Sequence, residues 1–351
     1  MIISPSILQI LKNKYSWIFF GFFVNIFSSI IYAQTDINFS SNINNKPLPF
    51  WHTSNNLGIY DISSSIISES FKGKNHLFNY NFRVVLDPTD FSKVYLPIAS
   101  INNNNNYYQF KVGRWIESLT NESILSTGSL LISKNALPVK KISLRTNEYK
   151  KFSIFNFQFS MKAGISHGWM SKEKYIKAPL LHEKFLYINK NLKNKMTFRV
   201  GLVHEAMWGG ETEKHGQQSQ SLNDYLRVLT FSPGSKSSLI QEQINTLGNH
   251  LGVWDIVFTK IKKKLEFKLY FQHPFEDGSG AYQHFFDELK ALRFPSKSFD
   301  GLFGIELINN NSKLFNILLY EYLNTMNQSG PEAASDSTYG WDNYYNHYIY
   351  Q

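Results

Sequence analysis

The sequence predicts an all-β chain that folds as a transmembrane, antiparallel β-barrel. Three observations carry this prediction: long segments that alternate strictly between apolar and polar residues, an aromatic content of 16%, and an apolar N-terminal segment. Alternation with a period of two places successive side chains on opposite faces of a strand. Abundant Phe, Tyr and Trp fit a barrel with interfacial aromatic girdles and a wet interior better than a soluble core.

The N-terminus has the pattern of a secretory signal. Lys12 and Lys14 form a basic flank, an apolar run follows over residues 15–31, and Ala33 offers a small residue for cleavage. The pattern predicts export from the cytoplasm. A membrane-anchoring helix is the alternative, because the run is only a few residues shorter than a helical span. The predicted organisation is a signal peptide over residues 1–33, a periplasmic segment over 34–74 and the barrel over 75–351.

Composition excludes several kinds of chemistry. The chain contains no cysteine, which removes disulfides, thiol nucleophiles and cysteine metal sites. The formal net charge is +9, but the basic residues are scattered through alternating segments instead of forming one basic run. We therefore expect no nucleic-acid partner. An acidic glycan or anionic lipopolysaccharide is the more natural partner for an exported protein of this charge.

Five segments show the alternation most clearly: 78–86, 108–112, 155–166, 196–202 and 265–272. Several run about ten residues, long enough to cross a bilayer as a tilted strand. Strands of soluble β-sandwiches are usually about five or six residues long. The period alone does not say which face is wet, so a sandwich remains the alternative to the barrel.

Polar connections separate these segments. A turn is predicted at 87–90, a loop at 102–106, a short periplasmic hairpin at 190–195 and a long polar loop at 209–247. A loop as long as the last one is usually functional. The stretch 55–70 fits either a short helix or an imperfect strand.

Two short patterns resemble catalytic motifs. Ser166 lies in a G-x-S-x-G sequence, but the residues that follow form a poor helix, and the nucleophile elbow of hydrolases requires one. His204 and Glu205 begin an H-E-x-x-H pattern, but Trp208 replaces the second histidine, so the zinc pair is absent. A glycosidase needs two placed carboxylates, and the acidic residues here fit a solvated face equally well. We expect no catalysis, no metal and no cofactor.

A glycan-binding role is the more natural reading of the aromatic and polar residues near predicted strand ends. Sugars stack on aromatic faces and bond their hydroxyls to planar polar side chains. The alternative for each tryptophan is anchoring at the membrane interface. The candidate polysaccharide-binding residues are Trp169, His204, Glu205, Trp208, Trp254, His273, Glu276, Asp277 and Tyr282.

The chain resembles the capsule-assembly Wzi family of outer-membrane barrels. The resemblance rests on the order of short stretches at 129–138, 182–187, 201–210, 273–280, 300–306, 328–331 and 342–346. It implies a barrel of about eighteen strands, a lumen occluded by loops and periplasmic helices, and lectin-like attachment of capsular polysaccharide without turnover. Members of the family usually continue further, so the resemblance, with the lack of clean alternation after Asn324, predicts a C-terminally truncated chain.

These observations predict an outer-membrane barrel that attaches or organises capsular polysaccharide or exopolysaccharide at the cell surface. Its other expected partners are outer-membrane lipid, lipopolysaccharide and the barrel-assembly machinery. A porin-like transport barrel and an outer-membrane esterase or hydrolase are the alternatives. The loops at 209–247 and 276–295 are the expected places of glycan contact.

Overall fold

The computed structural model describes residues 34–41, 57, 59, 65–74, 78–87, 90–117, 119, 123, 125–155, 157–171, 175–276, 300–309, 311, 315–326 and 347–350. The predicted signal peptide lies outside the described residues. Within the described ranges, no helix is both long enough and apolar enough to cross a membrane.

In the described part of the chain there are sixteen strands and two short helices. They are β1 (Gln34–Ser41), β2 (Ser65–Lys74), β3 (Asn79–Asp87), β4 (Asp90–Asn104), β5 (Tyr108–Arg114), β6 (Lys140–Thr146), β7 (Lys150–Ile154), β8 (Phe157–Trp169), β9 (Leu180–Leu192), β10 (Met196–Trp208), β11 (Glu211–Thr212), β12 (Gly216–Gln217), α1 (Leu222–Leu229), α2 (Ile240–Ile244), β13 (Asn249–Lys262), β14 (Leu265–Phe275), β15 (Gly301–Asn309) and β16 (Ile317–Asn324).

Fourteen strands form one antiparallel sheet in the order β1-β2-β3-β4-β5-β6-β8-β9-β10-β13-β14-β15-β16, with β7 paired to β8. Strands β11 and β12 form a separate small hairpin. Most strands of the large sheet therefore pair with the strands next to them in sequence, as expected of strands joined by simple hairpins and loops; β6 is an exception, since it pairs with β8 and not with β7. The predicted all-β, antiparallel fold class is confirmed.

Some predicted boundaries differ from the structure. The sheet begins at β1 and β2, inside the segment 34–74 that was expected to precede it, and 65–74 is a strand because it pairs with β3 along its length. The alternating segment 155–166 starts its strand only at residue 157. Phe155 lies in a turn with a φ of 46° and is fully exposed. The polar loop at 102–106 is shorter than predicted, since Asn102–Asn104 pair with β5.

The two faces of the sheet have opposite polarity. One face, called the inner face, carries buried polar and charged side chains. These include Lys141, Ser143, Arg145, Ser166, Glu183, Asp255, Gln272 and Glu306. The outer face carries apolar rows that follow the register, such as Phe198, Phe258, Leu269, Ile305 and Tyr320. Apart from the partly exposed Phe258, these side chains are 39–65% exposed.

Glycines on the inner face make room for aromatic rings. Gly201 lies opposite Tyr187, and Gly304 lies opposite Tyr270. A Cβ at Gly201 would lie 2.0 Å from the Tyr187 ring, and one at Gly304 would lie 1.9 Å from the Tyr270 ring. Each ring therefore lies across its neighbouring strand, a cross-strand contact that fixes the register of the pair.

The β5–β6 connection, residues 115–139, is called the plug segment, and its described residues lie against the inner face. Its backbone N–H at Leu130 donates to Gln272 Oε1 of β14 at 3.0 Å. The Ser126 hydroxyl and the Thr127 N–H donate to Glu321 of β16 at 2.7 and 2.9 Å. Because the plug segment begins at β5 and contacts β14 and β16, the sheet curves around it.

The two ends of the sheet have connections of different length. At one end lie short turns at 105–107, 193–195 and 263–264. At the other end lie the plug segment, the 209–248 connection and the 276–300 connection. Outer-membrane barrels have this asymmetry, with short periplasmic turns and longer extracellular loops.

Candidate functional site

A cavity of about 590 Å³ lies between the plug segment and the inner face, at the end of the sheet that carries the long connections. Its apolar walls come from both sides and include Leu131, Ile132, Leu181 and Met207. Its polar wall consists of Trp115, Glu117, Lys141, Glu183 and Glu205. The volume lies within the range of ordinary small-ligand pockets.

Glu117 is the main anchor of the plug segment. Its two carboxylate oxygens accept hydrogen bonds from Arg145 Nη1 and Nη2, both at 2.8 Å. Lys141 Nζ lies 3.3 Å from the same carboxylate, and the Trp115 indole N–H donates to it at 2.9 Å. A planar guanidinium and a carboxylate that bond through two parallel contacts form the strong, directional kind of ion pair.

The environment fixes the charge of Glu117. Burial by itself raises the pKa of this carboxyl, but the hydrogen bond from Arg145 and the positive charges of Lys141 and Arg145 act in the opposite direction. The balance holds the pKa of Glu117 well below its usual range. The plug segment is therefore attached through a carboxylate that is ionised at any physiological pH.

Glu183 extends this network along the wall. Lys141 Nζ donates to its Oε2 at 2.7 Å, and the Ser166 hydroxyl donates to its Oε1 at 2.9 Å. Lys141 and Arg145 are thus both engaged with carboxylates. Lys134 also lines the cavity and forms no ion pair with the described residues, so its positive charge remains available to a ligand.

Glu205 differs from its neighbours. It lies directly across from Glu183 in the β9–β10 register and faces the cavity. Among the described residues, its carboxyl group has no hydrogen bond and no direct ion pair, although the positive charge of Lys141 acts on it. A carboxylate in this position can accept hydrogen bonds from the hydroxyl or amine groups of a bound molecule.

The structure separates the predicted glycan-binding residues into different places. Of the predicted residues that the structure describes, Glu205 alone lines the cavity. His204 and Trp208 are buried on the outer side of β10: His204 Nε2 lies 3.0 Å from His250 Nδ1, and Trp208 packs against Val228 and Leu247.

The remaining predicted residues lie at other positions. Trp169 ends β8, is 45% exposed and contacts the His167 ring edge-on, which fits an interfacial aromatic. Trp254 packs with Phe271 on the outer face, and His273 Nδ1 lies 2.8 Å from the Asp300 carbonyl oxygen. Glu276 follows β14, and Asp277 and Tyr282 are outside the described residues.

Neither of the two catalytic patterns has the local geometry that its chemistry requires. Ser166 lies within β8, where it donates to Glu183, and the strand continues past it to Trp169, so the serine is not at a strand-to-helix turn. His204 and Glu205 point to opposite faces of a strand, so they do not share the helix face that an H-E-x-x-H site needs. Within the described residues, no group of three or more His, Asp or Glu side chains is arranged to hold a metal ion.

Sequence reasoning missed most of the cavity wall. No functional role was predicted for four residues of the wall, Trp115, Glu117, Lys141 and Glu183. The stretch 129–138, which also lines the cavity, was used only as part of the family resemblance. The available signal was the Trp-x-Glu sequence at the end of an alternating strand. That signal is weak, because alternation does not show which connection returns to the inner face.

Comparison with solved structures finds outer-membrane proteins at low identity. Wzi, described as a carbohydrate-binding β-barrel involved in group 1 capsule assembly in Escherichia coli, matches at 14% identity and a TM-score of 0.49, covering 80% of this chain and 53% of that one. The chain thus spans about half the length of that protein.

Two further structures are less similar. A loop-deletion mutant of OmpT from Vibrio cholerae matches at 9% identity and a TM-score of 0.33, over 83% of this chain and 92% of that one. The DcaP channel of Acinetobacter baumannii matches at 10% identity and a TM-score of 0.31, over 83% and 90%. No protein-family model and no curated protein matches the chain.

Proposed function

We propose that this protein is an outer-membrane barrel that holds capsular or other exported polysaccharide at the cell surface without catalysis. The observation that carries the membrane location is the reversed polarity of the sheet, with ionised groups on the buried inner face and apolar rows on the outer face. A water-soluble sheet has the opposite arrangement, because its apolar face is the one that packs into a core.

The energy of the outer rows supports a lipid environment. Removing one large apolar side chain from water is worth about 1.5–3 kcal/mol. The single row from Phe198 to Tyr320 contains five such side chains, about half exposed on average, so its transfer into lipid contributes on the order of 5 kcal/mol. That free energy is comparable to the whole stability of a soluble domain.

The cavity supports the glycan-binding part of the proposal. It lies at the end with the long connections, which is extracellular in this class of barrel. The carboxyl group of Glu205 can form hydrogen bonds with the hydroxyls at the edge of a sugar. The apolar walls can pack against the C–H groups on the face of the sugar ring. The sequence resemblance to a family that retains capsule points the same way.

The charges of the wall are compatible with both neutral and acidic sugars. Lys141 and Arg145 are engaged with Glu117 and Glu183. Lys134 also lines the cavity, where its Nζ donates to the Ser123 carbonyl oxygen at 3.5 Å. Glu205 offers a carboxyl group that can bond a sugar hydroxyl, so the cavity favours a glycan with free hydroxyls and does not select its charge.

The test compares cell-bound with released polysaccharide in the source bacterium with and without the protein. We expect polysaccharide to be made in both cases and to be shed when the protein is absent. The Glu205→Gln variant should shed more than wild type, whereas Glu211→Gln should not, because Glu211 is exposed and lies outside the cavity. An unchanged ratio on deletion would refute capsule attachment.

Two alternative activities give different results in the purified protein. A transport barrel would show an open conductance in planar bilayers, whereas the plug segment across the inner face favours a low one. A hydrolase would release new reducing ends or free acid from polysaccharide, and the loss of that activity in Ser166→Ala would identify it. Either result would displace the non-catalytic proposal.

A further inference from the structure

Residues 211–247, called the strap, pack against the outer face of the sheet. The Tyr225 ring lies 5.5 Å from the ring of His167 in β8 and 5.6 Å from that of His182 in β9. Phe231 contacts His204 of β10 at 4.3 Å and His250 of β13 at 5.2 Å. Residues 225–231 of the strap therefore cross four adjacent strands on the side that faces away from the cavity. Leu239, next to α2, packs in a cluster with Ile176 and the cavity-lining Met207 at the rim of the sheet.

The inward side of the strap is well anchored. Val228 is fully buried against Trp208 and Leu247. Ser221 and Asp224 form a complete capping box at the start of α1, which stabilises the helix end. These contacts make the strap an ordered part of the outer wall.

The outward side of the strap carries aliphatic side chains in pairs spaced by four residues. Leu222 and Leu226 of α1 are 75% and 49% exposed, and Ile240 and Ile244 of α2 are 70% and 80% exposed. Residues four apart lie on the same face of a helix. Each helix thus presents an apolar face that nothing in the described structure covers.

The strap lies directly beside the apolar rows of the outer face. The contacts of the strap that lie furthest from the end with the long connections are those with Lys184 and His204. These two residues are paired in the β9–β10 register. The next outward-facing pair along these strands is Leu186 and Leu202, two residues or about 7 Å further on. The strap therefore ends one register step from the proposed lipid-facing surface.

We propose that the strap lies in the interface of the outer leaflet, with Leu222, Leu226, Ile240 and Ile244 inserted at the boundary between headgroups and acyl chains. Amphipathic segments bind membranes in this way through an apolar face. The strap holds four acidic residues and three basic ones, Lys214, Arg227 and Lys236, so its insertion depends on apolar contact and not on attraction to anionic headgroups.

This inference rests on the proposed membrane location, and the experiment separates the two. Because the chain has no cysteine, one cysteine can be introduced at a time and labelled with a nitroxide. The strap positions are Leu226→Cys and Ile244→Cys. Ile188→Cys on the outer face is the lipid control, and Asn194→Cys in the exposed β9–β10 turn is the aqueous control.

The readout is the accessibility of each label to oxygen, which concentrates in lipid, relative to a water-soluble nickel complex. The protein is reconstituted in vesicles of phosphatidylcholine and phosphatidylglycerol. We expect both strap labels to show an oxygen-to-nickel ratio several-fold above that of the Asn194 label.

Three other outcomes overturn the inference in different ways. If both strap labels match the Asn194 label while the Ile188 label is lipid-exposed, the strap lies in water and the barrel proposal survives. If the Ile188 label is also water-exposed, the membrane location fails together with the strap. Each chain carries one label, so spin–spin broadening at a strap position would show that the labels of two chains lie close together. That result would mean that the apolar side of the strap contacts a second copy of the chain and not lipid.

Discussion

The substitution Glu117→Gln tests whether a buried ion pair holds the plug segment against the wall. In the wild type, this carboxylate accepts both Arg145 guanidinium bonds at 2.8 Å, and Lys141 Nζ lies 3.3 Å away. All three side chains are less than 10% exposed. The amide keeps the shape of Glu117 but removes its charge, so Arg145 stays buried without its main partner.

Breaking one partner of a buried pair costs about 3–5 kcal/mol. Since about 1.4 kcal/mol corresponds to a factor of ten, the undocked fraction of the plug segment should rise by roughly a hundredfold to a few thousandfold. Lys134, whose carbonyl oxygen accepts a bond from the Leu57 N–H when the plug segment is docked, offers a trypsin site. When reclosing is fast, cleavage follows the open population.

The assay measures the rate of trypsin cleavage after Lys134 in reconstituted protein. Glu211→Gln is the matched control, because its partner Lys177 is 4.0 Å away and both side chains are about half exposed. Exposed pairs of this kind contribute at most about 1 kcal/mol. If Glu117→Gln is cleaved no faster than Glu211→Gln, the buried pair does not hold the plug segment.

A second substitution separates charge from shape. Adding Arg145→Met to Glu117→Gln removes the uncompensated guanidinium and leaves an apolar side chain of similar length. Replacing a buried pair by apolar groups is often neutral, so the double variant should be cleaved more slowly than Glu117→Gln alone. Cleavage rates also give the change in docking free energy of each single variant. If the change in the double variant equals the sum of the two single changes, the two residues act independently.

Three further predictions concern the same wall. Because the pKa of Glu117 is depressed, its stabilising contribution is complete above the ordinary carboxyl pKa of about 4.3 and declines only as the pH falls below that value. The hydrogen-exchange rates of the plug-segment amides, corrected for intrinsic rates, should therefore be constant from neutral pH to about pH 5. Gly201→Ala forces a Cβ to within 2.0 Å of the Tyr187 ring and should lower the free energy of unfolding in urea by at least about 1–3 kcal/mol. Ser166→Ala loses one bond to Glu183, should cost about 1 kcal/mol in the same assay, and should leave ester hydrolysis at the background level.

Many strands of the sheet were predictable from the sequence. Strict alternation over 265–272 and 196–202 marks the strands, and both extend further in the structure because their neighbours continue the ladder. The start of the sheet was not predictable in the same way. The segment 65–74 alternates poorly, and it is a strand because β1 and β3 pair with it on either side.

The candidate site was much less predictable than the strands. The long polar loop at 209–247 was expected to be functional, and the structure places it on the outer face, while the 115–139 connection occupies the inner one. Composition does not distinguish these outcomes, since both segments mix polar and apolar residues. The difference lies in pairwise contacts across long sequence separations, such as Thr127 with Glu321, which local patterns do not encode.

The register of β9 and β10 links the cavity to the strap. His204 and Glu205 are adjacent in sequence and therefore point to opposite faces, so His204 lies under the strap while Glu205 lines the cavity. A slip of one residue would exchange them and would place a carboxylate under the strap. Tyr187 opposes such a slip, because its ring fits only where Gly201 leaves space. Gly201→Ala should for this reason disturb trypsin protection of the plug segment and lipid exposure of the strap together. Loss of either property alone would contradict this coupling.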